Sequence, residues 1–145
     1  MKQAIIFFLL ILGLSPAAVA LESNIGLIKN SSGEASILRD QAQMPVETGS
    51  HLNKEDVIKT GSDGSVGIVF TDGTTVALGP GTEFSIQDYL YEPKTEAYAF
   101  SLYLKKGSAI YSSGKIGKLA PDAVKLNTPK ATVGIRGTRV ILEVN

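Results

Sequence analysis

His51 is the only histidine in the 145-residue chain, so imidazole acid–base chemistry would rest on it alone. It follows Gly49-Ser50 and precedes Leu52-Asn53, a context that reads as a loop. Ser112-Ser113-Gly114-Lys115 fits S-x-x-K and Lys59-Thr60-Gly61 spells K-T-G, two strings of penicillin-interacting serine enzymes. In those enzymes the serine opens a helix, the lysine lies one turn above it, and K-T-G follows on a strand. Here the order is reversed, Gly114 weakens the helix and S-D-N is missing, so coincidence explains the match better. Asp63-Gly64-Ser65-Val66-Gly67 lacks the first glycine of a nucleophile elbow. Glu55 and Asp56 adjoin, but strand neighbours point to opposite faces and do not form a catalytic pair. Asp63 and Asp72 stand at turns, where aspartate supports its own backbone. No calcium-loop spacing and no phosphate-binding glycine loop occurs. With no cysteine, thiolate catalysis and thiolate metal ligation are excluded. The expectation is a protein that is not an enzyme, with no catalytic residues, metal or cofactor.

Short alternating runs punctuated by glycine dominate the rest of the chain. Val66, Ile68 and Phe70 share one face of a strand, and Asp72-Gly73 is a hairpin signal whose favoured two-residue form needs positive φ twice. The returning strand carries Val76 and Leu78 and ends at Gly79-Pro80-Gly81. Phe84 and Ile86 mark the next strand, and residues 88–97, polar and containing Pro93, are expected to be a loop. Phe100, Leu102 and Leu104 restart the alternation, Lys105-Lys106-Gly107 is expected to turn the chain, and residues 109–111 to return. Residues 114–122 read as a long loop. Residues 24–29 and 35–39 read as a first hairpin around Ser31-Ser32-Gly33, and residues 57–59 as a strand. The fold class is therefore all-β, a mostly antiparallel sandwich or roll built from hairpins, with a short β-solenoid as the alternative.

Lys2, the apolar run of residues 4–14 and Ala18-Val19-Ala20 have the layout of a secretory signal, with cleavage expected after Ala20. The run is too short for a membrane-spanning helix, and no later stretch is apolar enough, so no stable span is expected after cleavage. Residues 1–20 are thus assigned to the signal and 21–145 to one domain, periplasmic or secreted. The whole chain has zero formal net charge, which gives no reason to expect nucleic acid. Charge is unevenly distributed, however: residues 21–99 hold twelve acids against five basic residues, whereas residues 100–145 hold eight basic residues against two acids. Tyr89, Tyr91, Tyr98, Tyr103 and Tyr111 gather in the central part of the sequence, a set suited to stacking on a glycan or to ordinary cross-strand packing.

The stretch LNKEDVIKTGSDGSVGIVFTDGTTVALGPGTEFSI and the closing NTPKATVGIRGTRVILEV together resemble the FecR domain, a periplasmic β-module of iron-transport regulators that also occurs in stand-alone exported proteins. Asp56, Thr60 and Gly61 match the opening of the family pattern, Phe70, Asp72, Gly73 and Thr74 its turn, and Thr128, Pro129, Ala131, Val133, Arg136, Gly137 and Thr138 its closing motif. The likeness runs from about Ile25 onward. Glu55 departs from it, standing where the family usually has glycine. The resemblance implies a binding or regulatory module of the bacterial envelope with a protein partner; a glycan or envelope polymer is the alternative ligand. Most signature residues are expected to be structural, Arg136 among them, as a buried fork satisfying turn carbonyls. Val140, Leu142 and Val144 alternate inward on the last strand, the candidate binding edge.

Overall fold

The structure, a computed structural model, describes residues 24–145; the assigned signal segment lies outside them. Alternation produces the elements expected of it. β6 (Ser65–Phe70) buries Val66, Ile68 and Phe70, and β7 (Thr75–Leu78) buries Val76 and Leu78. They form a hairpin, but its loop has three residues. Gly73 N–H donates to Phe70 O at 2.9 Å and Phe70 N–H to Thr74 O at 2.8 Å. Only Gly73 has positive φ, at 86°, the pattern of a turn followed by a one-residue bulge.

β9 (Ala97–Ser112) organises everything else. Along one side run β7 and β8 (Glu83–Glu92), both antiparallel to it. Along the other lie β10 (Val124–Asn127), parallel to residues 100–103, and β12 (Arg139–Val144), antiparallel to residues 107–112. Beyond β8 follow β5 (Val57–Thr60), β2 (Ala35–Arg39) and β3 (Ala42–Pro45). Beyond β7 follow β6, β1 (Gly26–Ser32) and β4 (His51–Leu52), while β11 (Thr132–Gly134) pairs with β10. The result is one curled antiparallel sheet, a half-barrel with two wings joined by β9. Its core holds Ile28, Ile58, Ile68, Ile86, Leu104 and Leu126, and a ring cluster in which Phe100 meets Phe70 at 4.9 Å, Tyr89 at 5.1 Å and Tyr111 at 6.1 Å.

Several expectations give way. Lys105-Lys106-Gly107 does not reverse the chain; β9 continues through it with a bend and changes wings there. Gly107 has φ 94°, and a Cβ at that position would collide with Thr82. The Thr82 hydroxyl pins this bend, accepting from Ser108 N–H at 3.1 Å and donating to Gly79 O at 2.8 Å. The expected loop at 88–97 is mostly strand, since β8 reaches Glu92 and a single 3-10 turn (Pro93–Thr95) connects it to β9. β1 and β2 do not pair as a hairpin, because the chain crosses from one wing to the other between them. The loop expected at 114–122 contains a short helix, α1 (Lys115–Leu119), and a 3-10 turn (Pro121–Ala123). The β9–β10 pair is the parallel exception. Antiparallel neighbours on every other strand make this a roll and not the solenoid.

Candidate functional site

Three groups of motif residues occupy different physical settings. The first centres on Asp72, which is buried at 2% exposure. Its carboxylate accepts from Thr74 N–H (3.0 Å), the Thr74 hydroxyl (2.7 Å), Ile116 N–H (3.0 Å) and the Tyr89 hydroxyl (3.3 Å). Its own N–H donates to Tyr89 Oη at 3.0 Å, and its carbonyl accepts from Lys115 N–H at 2.9 Å. Thr74 Oγ1 accepts in turn from Gly114 N–H at 3.1 Å. A Cβ at residue 114 would press on the backbone of Asp72, Gly73 and Thr74, so glycine there lets α1 dock against the turn. The docking places Ile116 in the core. Burial pushes the Tyr89 phenol up to about 12; the hydrogen bond with Thr71 opposes this, and the charge of Asp72 reinforces it. Burial likewise raises the Tyr111 phenol. The Tyr111 and Ser113 hydroxyls are both buried without a partner in hydrogen-bond geometry among the described residues.

The second group surrounds Asp56, also fully buried. Arg39 donates to it through Nε at 2.8 Å and Nη2 at 2.7 Å, and Asn53 N–H adds a bond at 2.8 Å. Arg39 Nη2 also reaches the His51 carbonyl at 3.0 Å. Asp56 thereby joins β2 to the segment between β4 and β5. Glu55, beside it, has φ 71°, a left-handed conformation that glycine adopts without cost. Thr60 Oγ1 accepts from Thr82 N–H at 2.9 Å and donates to Gly79 O at 2.7 Å; Gly61 contributes backbone bonds to Glu34, Gly64 and Gly81. The K-T-G string is thus a strand end tied to the bend beside Gly79.

The closing segment differs. Thr128 caps the β10–β11 turn, its hydroxyl accepting from Ala131 N–H at 3.1 Å and Lys130 N–H at 3.3 Å, and Pro129 lies exposed within that turn. Arg136, expected as a buried fork, is exposed and hydrogen-bonds to none of the described residues. Two nearby carbonyls are bonded by backbone: Ala131 O accepts from Thr128 N–H at 2.8 Å, and Thr138 O from Ser113 N–H at 2.7 Å. Gly137 (φ 100°) and Thr138 are exposed too. An open cavity of about 580 Å³ lies here, bordered by Asp122, Lys125, Thr132, Gly134, Arg136 and Val140.

Val140, Leu142 and Val144 are half-buried against the core, and β12 pairs with β9 on one side only among the described residues. The bond from Ser113 N–H to Thr138 O identifies the even-numbered residues as those whose backbone groups face β9. By alternation, the N–H and C=O groups of Arg139, Ile141 and Glu143 point away from the sheet. These odd-numbered residues, exposed on the outer face, are the backbone partners that an added strand would meet. Side-chain alternation alone had drawn attention to the even ones.

The tyrosines divide. Tyr89 and Tyr111 belong to the core, leaving Tyr91, Tyr98 and Tyr103 half-buried, with the rings of Tyr91 and Tyr98 at 6.2 Å. His51 and Ser112 stand on β4 and β9, strands that do not pair. Among the described residues no cluster of three or more metal-ligating side chains occurs, and no helix is long and apolar enough to cross a membrane.

The described residues form a curled all-β domain with two buried aspartate hubs, an exposed closing segment and several strands, β12 the longest of them, that pair on one side only. The chain belongs to the FecR protein family, whose model matches residues 56–145. The strands that precede this span, β1 to β4, pair into the same sheet. No curated protein and no solved structure matches the chain. The family is that of a regulatory domain of the envelope.

Proposed function

We propose that this chain is an exported, non-catalytic binding and regulatory module that works in the bacterial envelope by protein–protein recognition along the β12 edge. The observation that carries the reading is the outer side of β12, unpaired among the described residues, six residues long and free of proline. An extended segment adds to such an edge through main-chain hydrogen bonds, with side chains selecting the partner. Family membership supports a regulatory role, and the N-terminal signal layout supports export to the periplasm or beyond. The Asp56 and Asp72 hubs join chain segments to one another and thereby stiffen the platform that presents the edge.

Proline substitution separates the edge from the fold. At Leu142 it would remove a donor to β9, whereas at Ile141 it removes one that faces outward. Pull-down from envelope extract should retain a specific protein on the wild-type chain and lose it on Ile141→Pro. Equal capture by a variant with unchanged circular dichroism would sink the reading.

A further inference from the structure

Ile141 is the most exposed large hydrophobic side chain among the described residues, at 64%, and it sits at the middle of the free edge. Arg139 and Glu143 flank it at equal distance along the chain, and all three are exposed on one face. An antiparallel copy of β12 centred on this residue pairs Ile141 with its counterpart, Arg139 with Glu143 and Glu143 with Arg139. Opposite charges therefore meet twice across the new strand boundary. Because the odd-numbered residues carry the outward N–H and C=O groups, these three pairs are also hydrogen-bonded pairs, giving six main-chain bonds. Among antiparallel registers that keep hydrogen bonding in phase, only this one satisfies both charge pairs. A parallel arrangement in the same alignment would set Arg139 against Arg139.

The outer face of the sheet continues the pattern. Ile141 lies beside Ile110 on β9, Ile110 beside Ala77 on β7, and Ala77 beside Gly67 on β6. This row of small and apolar residues crosses four strands and ends at Ile141. Joining two copies there would make it continuous through both.

We propose that β12 pairs with β12 of a second copy of this chain, forming a two-fold symmetric dimer with one sheet running through both molecules. A two-fold axis needs a self-complementary patch, and the Arg-x-Ile-x-Glu spacing supplies it. This proposal rests on the edge-recognition reading and names its partner.

Sedimentation equilibrium on the chain, purified in the form that accumulates in cells, is the first test. A concentration-dependent dimer is expected, and a monomer up to roughly 100 μM would overturn the proposal. Charge reversal is the second. Arg139→Glu or Glu143→Arg alone sets like charges together twice and should raise the dissociation constant by roughly tenfold or more. Mixing the two single variants, or combining both changes in one chain, restores opposite pairs and should restore the dimer. Single and combined variants with the same affinity would exclude this register. Because the chain lacks cysteine, Ile141→Cys introduces one thiol at the proposed axis. Oxidised glutathione, as electron acceptor, should cross-link it far faster than a Thr132→Cys control; equal rates count against the axis. The outcomes separate the two readings. A monomer that still loses its envelope partner on Ile141→Pro refutes self-pairing alone. A charge-reversible dimer whose envelope partner ignores Ile141→Pro refutes recognition of other proteins there and leaves the dimer standing.

Discussion

Asp72 receives four hydrogen bonds through its carboxylate inside the protein, whereas Arg136, equally part of the family pattern, receives or gives none among the described residues. The turn at Asp72 joins two strands, a helix and a tyrosine from a third strand; the segment from Arg136 to Arg139 is exposed throughout. A buried carboxylate must be answered by internal donors, so the residues around it are constrained by folding. An exposed arginine between glycines meets no such demand. Motif membership therefore covers two settings: Asp72 and Asp56 hold chain segments together inside the domain, while the closing segment lies exposed on its surface.

The largest break of this contrast is Asp72→Ala. It strands two backbone donors and two hydroxyls in the interior, and urea denaturation should report a loss of about 3–5 kcal/mol. A loss below about 1 kcal/mol would mean the hub is not structural. Asp56→Ala should cost about 2–3 kcal/mol, less because Arg39 is partly exposed and water can take over its charge. Alkaline titration tests the Tyr89 side of the hub. The folded phenol keeps its proton where the unfolded one, near 10, has lost it, so its contribution is intact below about pH 10 and declines as pH rises toward 12. Tyr89→Phe should flatten that decline and cost about 1–1.5 kcal/mol at neutral pH. Glu55→Gly should instead stabilise, by about 0.5–1 kcal/mol, as relief of the left-handed backbone outweighs the added freedom of the unfolded chain. Smallest of all, Arg136→Ala should leave stability within about 0.5 kcal/mol while altering partner capture if the closing segment takes part.

Much of the sheet could be read from residues alone. Val66 to Phe70, Val76 and Leu78, Phe84 and Ile86, and Phe100 to Leu104 are all strands with the inward faces their alternation predicts. What escaped has identifiable causes. β3 is not legible in the sequence because its hairpin turn uses Asp40 and Gln41, at φ 49° and 65°, without the glycine or asparagine that usually marks two left-handed residues. Gly107 looked like a turn and is a bend, since a single positive φ reverses nothing when the partner strand bends with it at Gly79 to Thr82. α1 carries Gly117 and spans five residues, too few for periodicity; its stability comes from Asp72, more than forty residues earlier in the chain. Arg136 is expected inward because carbonyls lie near any turn, whereas the fold leaves it exposed. Glu55 is an informative departure, its misfit with the family pattern marking one of the four non-glycine residues whose φ is left-handed among the described residues.

The continuity of β9 bears on how the chain reaches its fold. Before residues 97–112 are available, strand pairing yields two ladders, β4-β1-β6-β7 and β3-β2-β5-β8, linked where the chain crosses between them by the backbone bonds of Gly61 to Glu34 and Gly81. Each ends in a strand, β7 or β8, whose open side has no other proper occupant. A nascent chain halted in that interval carries two sticky templates for misassociation, and the arrival of one sixteen-residue segment seals both at once. Folding speed should accordingly be governed by that late, long-range zippering, and substitutions within residues 97–112 should slow refolding more than equally destabilising ones in β2 or β3.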